Sequence, residues 1–219
     1  MRFLQRALLW LTTLLVPVIL ILMSVRLLMT PIYIQVEYRM PWFPEDTYGF
    51  DFNERLYWAN ISRNYLINNQ GIEYLGDQQL DENTPLYNQR ELRHMLDVKS
   101  VLSVSMNLLL VALIFELGFG IWSFRFSNRD EYLAALARGG WLSSGLVIAV
   151  LVYLALNFRS LFTNFHRIFF EGDTWLFQFS DTLIRLFPIE FWRDAFIWIA
   201  VITIATGIGL GYFVTKLNK

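Results

Sequence analysis

The chain has 219 residues, of which 55% are apolar and 17% charged, with a formal net charge of -1. So even a balance leaves no electrostatic footprint for nucleic acid, and a sequence with no cysteine has neither disulfides nor a thiol nucleophile. The apolar residues are gathered into four long blocks instead of many short core segments, which is the mark of an integral membrane protein.

The first block, "ALLWLTTLLVPVILILMSVRLLM", predicts a span over about 7–29. It is too long for the apolar part of a signal peptide and no small-x-small cleavage site precedes Pro31, so it is expected to stay in the membrane. Arg26 falls near its outer end, where a charge must either snorkel or meet a polar partner such as a phosphate, a carbonyl oxygen or an outer carboxylate. The loop that follows, about 31–99, begins with the turn-rich "PWFPEDTYGF" and continues with "NERLYWANISRNYLINNQG", which has helical spacing and a glycine stop. In "NQRELRHMLDVK", Asn88 followed by Glu91 is a capping-box pattern, and nothing interrupts this helix before the second span at about 101–122. Glu116 within that span is expected to reach toward the cytoplasmic interface.

The short loop at about 123–140 reads as a solvated helix, with Ser127 or Asn128 as N-cap and Gly139 at its end. A third span covers about 141–160. The loop after it, about 161–193, belongs to a stretch carrying 11 Phe or Trp residues from Phe158 to Trp192, interleaved with charges. Aromatic, amphipathic segments of this kind settle at the depth of lipid headgroups. Gly172 or Asp173, and Ser180 or Asp181, are expected to begin short interfacial helices, and Pro188 to open the fourth span at about 194–215. There, Gly207 and Gly211 have the GxxxG spacing of a close helix contact.

Basic residues set the expected orientation. Arg2, Arg6, Arg125, Arg129, Arg138, Lys216 and Lys219 flank the spans on one side, whereas residues 31–99 hold 6 basic and 11 acidic residues. The positive-inside rule then puts both termini in the cytoplasm and the two long loops outside. The fold expected is all-α: one polytopic membrane domain, residues 1–219, made of a four-helix transmembrane bundle with an extracytoplasmic helical and loop cap and interfacial amphipathic segments.

Two histidines, His94 and His166, are the only ones in the chain, and under this topology they lie at the same depth on the outer leaflet. Asp97 follows His94 at i,i+3, close enough on a helix to hold one ring nitrogen and leave the other for proton transfer. The plainer reading is that each imidazole only hydrogen-bonds a loop backbone. Metal ligation by the histidines with Asp97, Asp173 or Asp181 has little support, since HExxH and a His pair at i,i+4 are both absent. Neither an HxxxxD acyltransferase motif nor a GxSxG nucleophile elbow is present.

"RELRHMLDVKSV" and "FHRIFFEGDTWLFQFSDTLIRLFPIEFWRDA" resemble the family of four-span bacterial membrane proteins that includes the lipoprotein intramolecular transacylases. The resemblance implies a cofactor-free acyl transfer on the outer face of the cytoplasmic membrane. The substrate is a diacylglyceryl lipoprotein, and the acyl chain moves from its glycerol sn-2 ester to the α-amino group of the N-terminal cysteine. It also implies that His94 and His166 are the essential pair; the residues themselves, apart from the resemblance, offer Asp97, Arg26, Asp181, Asp173 and Trp175 as orienting or substrate-binding candidates around them. A noncatalytic subunit that binds membrane lipid or docks a partner, and a phospholipid acyl hydrolase, remain open alternatives.

Overall fold

The computed structural model describes residues 2–126 and 128–217, so Ser127, one of the two expected N-caps, lies outside the described residues. In chain order the elements are α1 (Arg2–Leu28), α2 (Pro31–Glu37), α3 (Phe52–Ile67), α4 (Glu73–Gly76), β1 (Gln79–Asp81), β2 (Thr84–Pro85), α5 (Gln89–Arg125), α6 (Arg129–Phe169), α7 (Thr182–Leu186) and α8 (Ile189–Leu217). Among the described residues, four helices are long and apolar enough to cross a membrane: α1, α5, α6 and α8. The all-α expectation holds, with a small antiparallel ribbon, β1–β2, added to it.

Contacts divide the chain into two compact units. The first comprises Met1–Leu27, Ser105–Leu156 and Ile197–Lys219. Its helices meet at small residues. Gly139 does not end a helix as expected, because α6 runs through it. A Cβ there would come 2.6 Å from the Val16 Cβ of α1, and one on Gly140 would come 2.5 Å from the Gly207 carbonyl oxygen of α8. These glycines are selected for close approach of backbones, which is also how Gly207 acts. Hydroxyls complete the contacts: Thr13 Oγ1 donates to the Ala135 carbonyl at 3.2 Å, and Ser24 bonds Thr203 at 3.1 Å. Glu116, expected at the interface, is instead buried, and it accepts from the Tyr132 hydroxyl at 3.2 Å.

The second unit comprises Leu28–Val104 and Asn157–Phe196. Its core is Tyr65, Leu75, Leu86, Tyr87, Met95, Leu183 and Leu186. Caps start its helices. Asp51 and Glu54 form a capping box on α3. On α5 the expected box is present: the Glu91 amide donates to Asn88 Oδ1 at 3.1 Å, and the Asn88 amide donates to Glu91 Oε2 at 2.7 Å. The Arg185–Asp46 ion pair, at 2.9 Å, is also buried in this unit, and Arg55 donates to the Arg185 and Pro44 carbonyls.

α6 is broken by a kink at Asn157, where the backbone turns extended. The Asn157 side chain accepts from the Ser160 amide at 3.0 Å, so it caps the segment that restarts the helix and carries His166. The helix expected from Gly172 or Asp173 does not form. Gly172 sits at φ +65, in the left-handed region, and residues 172–175 make a turn closed by the Leu176 amide on the Asp173 carbonyl at 3.1 Å. A helix does follow Asp181, as α7, and α8 begins directly after Pro188.

Candidate active site

His94 stands in the second turn of α5, and the residue that fixes this turn is Glu91. One of its oxygens closes the capping box described above, while the other accepts from the Leu183 amide at 2.7 Å. Leu183 and Met95 are both in the core of this unit, so the helix bearing His94 is held against α7 by a buried carboxylate and by apolar packing.

His166 rides on the segment restarted by Asn157. Its Nδ1 lies 2.8 Å from the Phe162 carbonyl oxygen, one turn back on the same helix. A carbonyl oxygen only accepts, so Nδ1 carries the proton and a neutral ring keeps its lone pair on Nε2. The geometry therefore selects the tautomer.

The two imidazoles come together, with ring centroids 6.1 Å apart and planes inclined at 20°. Each is only 8% exposed. Aromatic rings enclose them. Phe170 and Phe177 meet His94 at 5.0 and 5.3 Å, while Phe162, Phe170 and Trp175 meet His166 at 4.1, 5.4 and 5.0 Å. Such a wall excludes water while leaving polar ring nitrogens inside it, and the Nδ1 of His94 is buried with no hydrogen-bond partner.

The residues expected around the pair are used differently from the expectation. Asp97 does not hold a ring nitrogen of His94; its Oδ2 accepts from the Thr174 hydroxyl at 3.4 Å instead. A side chain at i+3 can also turn outward, and here a neighbouring loop supplies the donor. That loop carries Trp175 onto His166, and the indole Nε1 donates to the Gly172 carbonyl at 3.2 Å. Asp181 is a structural hub: it accepts from Asn88 Nδ2 at 3.0 Å and from the Gln178 amide at 2.8 Å, with Arg90 at 3.8 Å. Asp173 is exposed and contributes its backbone carbonyl to the turn. Arg26 is exposed in the last turn of α1 and belongs to the other unit. Among the described residues, no three His, Asp or Glu side chains gather as a metal site.

Sequence reasoning missed the cage and Glu91's second role. Phe162 and Phe170 stand four residues to either side of His166, a spacing that puts all three on one helix face. Phe177 and the bond from Glu91 to Leu183 come from distant segments and left no local signal.

Known proteins resemble this chain in sequence and in fold. The family model described as "Lipoprotein intramolecular transacylase Lit" matches residues 10–192. An uncharacterized protein of Aquifex aeolicus (strain VF5) is 30% identical over 186 residues, which is 85% of this chain and 83% of that protein. Among solved structures, the in meso structure of the membrane integral lipoprotein intramolecular transacylase Lit from Bacillus cereus superposes with a TM-score of 0.68 at 20% identity, covering 100% of this chain and 97% of that one. A histidine-to-alanine variant of the same Bacillus cereus protein gives 0.73 at 19% identity, covering 98% and 94%. At such identities the structural likeness concerns the fold.

Proposed function

The chain belongs to the lipoprotein intramolecular transacylase family of membrane acyltransferases, and from that premise we propose that His94 and His166 carry out an ester-to-amide acyl shift within one diacylglyceryl lipoprotein. The observation that carries this reading is the approach of two buried imidazoles to 6.1 Å inside an aromatic cage, one of them with its tautomer set.

The N-terminal amine of the substrate has an ordinary pKa near 8, so a useful fraction is neutral at pH 7. Its nitrogen attacks the sn-2 ester carbonyl, and His166 Nε2 takes the proton released as the C–N bond forms. The tetrahedral intermediate then collapses, the C–O bond breaks, and the imidazolium returns the proton to the glycerol alkoxide. One amide replaces one ester, with no ATP, external donor or net proton change. Imidazole suits both transfers because its ordinary titration range lies nearest neutrality. A ring N–H of His94 steadies the oxyanion, and a buried nitrogen without a partner in the free protein supports that role. Because amine and ester belong to one molecule, holding them in register supplies much of the remaining acceleration. The Phe and Trp wall limits hydrolysis of the ester by water.

We further propose that both termini are cytoplasmic and the histidines extracytoplasmic, which the distribution of basic residues supports. A chain without cysteine makes this easy to test. Single cysteines introduced at Glu82 or Asp130 would be labelled by a membrane-impermeant maleimide in intact cells only at the first position.

Substrate and lyso product are isomers, so the decisive assay is fragmentation of the lipopeptide by tandem mass spectrometry. His94→Ala and His166→Ala are each expected to lower N-acyl product formation by about 10² to 10⁴. Undiminished product from both variants would exclude the mechanism. A product lighter by one acyl chain would identify a hydrolase instead.

A further inference from the structure

Away from the histidines, in the unit built from the spans, two shallow grooves share a border. One, of about 300 Å³, is lined by Leu133, Ala137, Trp141 and Val214, among others, and the second, of about 410 Å³, by Arg6, Leu9, Trp10 and Glu131. Ala134 and Arg138 line both. The Arg138 guanidinium sits 5.6 Å from the centre of the Trp10 ring, at the ridge between the grooves. Trp10 and Trp141 are 61% and 51% exposed, which suits indoles at the boundary of hydrocarbon and water.

The charges around the ridge are unbalanced. Neither Arg6 nor Arg138 is in an ion pair among the described residues, although both are exposed, Arg6 in the first turns of α1 and Arg138 in the third turn of α6. Glu131 is the one carboxylate on the grooves, and it accepts from Gln5 Nε2 at 2.8 Å. Two guanidiniums against one carboxylate leave the site one positive charge in excess. A guanidinium fork matches phosphate oxygens in pairs. The apolar floors on either side of Arg138 offer two lanes for hydrocarbon.

We propose that this site binds an anionic glycerophospholipid, its phosphodiester held by Arg6 and Arg138 and its acyl chains lying along the two grooves. A headgroup of charge -1 neutralises the excess, whereas a zwitterionic one leaves it standing. This is independent of the chemistry at His94 and His166.

The test is native mass spectrometry of the full chain released from nanodiscs of equal phosphatidylglycerol and phosphatidylethanolamine. The unaltered protein is expected to retain one phosphatidylglycerol with a preference of about tenfold or more over phosphatidylethanolamine, given the attraction each basic side chain adds near a headgroup. The double variant Arg6→Gln, Arg138→Gln is expected to lose that preference, and Glu131→Gln to strengthen it. Equal retention of the two lipids by the unaltered protein, or an unchanged preference in the double variant, would overturn the proposal. So would displacement of the lipid by millimolar inorganic phosphate, which would mark a site for a free anion.

Discussion

In the unit built from Met1–Leu27, Ser105–Leu156 and Ile197–Lys219, helices meet where side chains are nearly absent: Gly140 against the Gly207 backbone, Gly139 against Val16, Ser24 against Thr203. In the unit built from Leu28–Val104 and Asn157–Phe196, contacts are made by large or charged groups: Arg55 on the Arg185 carbonyl, Glu91 on the Leu183 amide, Tyr33 on the Phe191 carbonyl at 2.8 Å. The difference follows from what each must achieve. Helices surrounded by lipid gain little from burying apolar surface and associate through close backbone packing. A cap made of short helices and loops has many backbone groups to satisfy, and buried polar side chains do so. The histidines belong to the second kind of structure, where side chains can be aimed individually.

The largest break in this contrast should come from Gly140→Leu. A Cβ there would already come 2.5 Å from a backbone oxygen that cannot rotate away, so the cost should exceed the ~1–3 kcal/mol of ordinary overpacking. The expected outcome is loss of monodisperse protein on size exclusion in detergent. A comparable substitution at Gly49, which has no atom near its missing Cβ, should be tolerated sterically and suffer only from its positive φ.

An intermediate effect is expected at Glu37. This side chain is fully buried, and the group its carboxyl meets is the Asp194 carboxylate, to which a protonated Glu37 donates. Burial first, and the nearby Asp194 second, push its pKa from the ordinary 4.5 up to about 8. Above 4.5 the unfolded chain's Glu37 ionises while the folded one keeps its proton, so the stability this group contributes is fully present below pH 4.5, falls as pH rises and is lost above about 8. Glu37→Gln should flatten that slope and raise the melting temperature at pH 8, as read by thermal denaturation across pH. An unchanged slope would show that Glu37 is already ionised in the folded state.

The smallest change sharpens the site. Thr174→Val removes the hydroxyl that donates to Asp97 and is expected to release the turn carrying Trp175 over His166. One hydrogen bond is worth about 0.5–1.5 kcal/mol, so product formation should fall roughly two- to tenfold with no loss of folded protein. A loss as deep as that of His166→Ala would mean that Thr174 touches substrate directly.

The four long apolar helices, the Asn88–Glu91 cap, the start of α8 after Pro188 and the close-packing glycines of α8 were legible because each rests on periodicity or on a few adjacent residues. The same local reading failed at Gly139 and Gly172. A glycine can end a helix, pack against another backbone or turn left-handed, and only its neighbours decide which. Asp97 failed for a related reason, since its i,i+3 spacing from His94 allowed a contact that Thr174 took instead.

Composition and periodicity thus determined that this protein is a helical membrane protein with its only two histidines flanking apolar spans, and the resemblance of two stretches to a transacylase family made those histidines its candidate proton carriers. Tertiary structure alone decided that the rings meet and that Phe170 and Phe177 shut His94 in. Those contacts join segments far apart in the chain, and residues held together by packing across such gaps leave no period for a sequence to display.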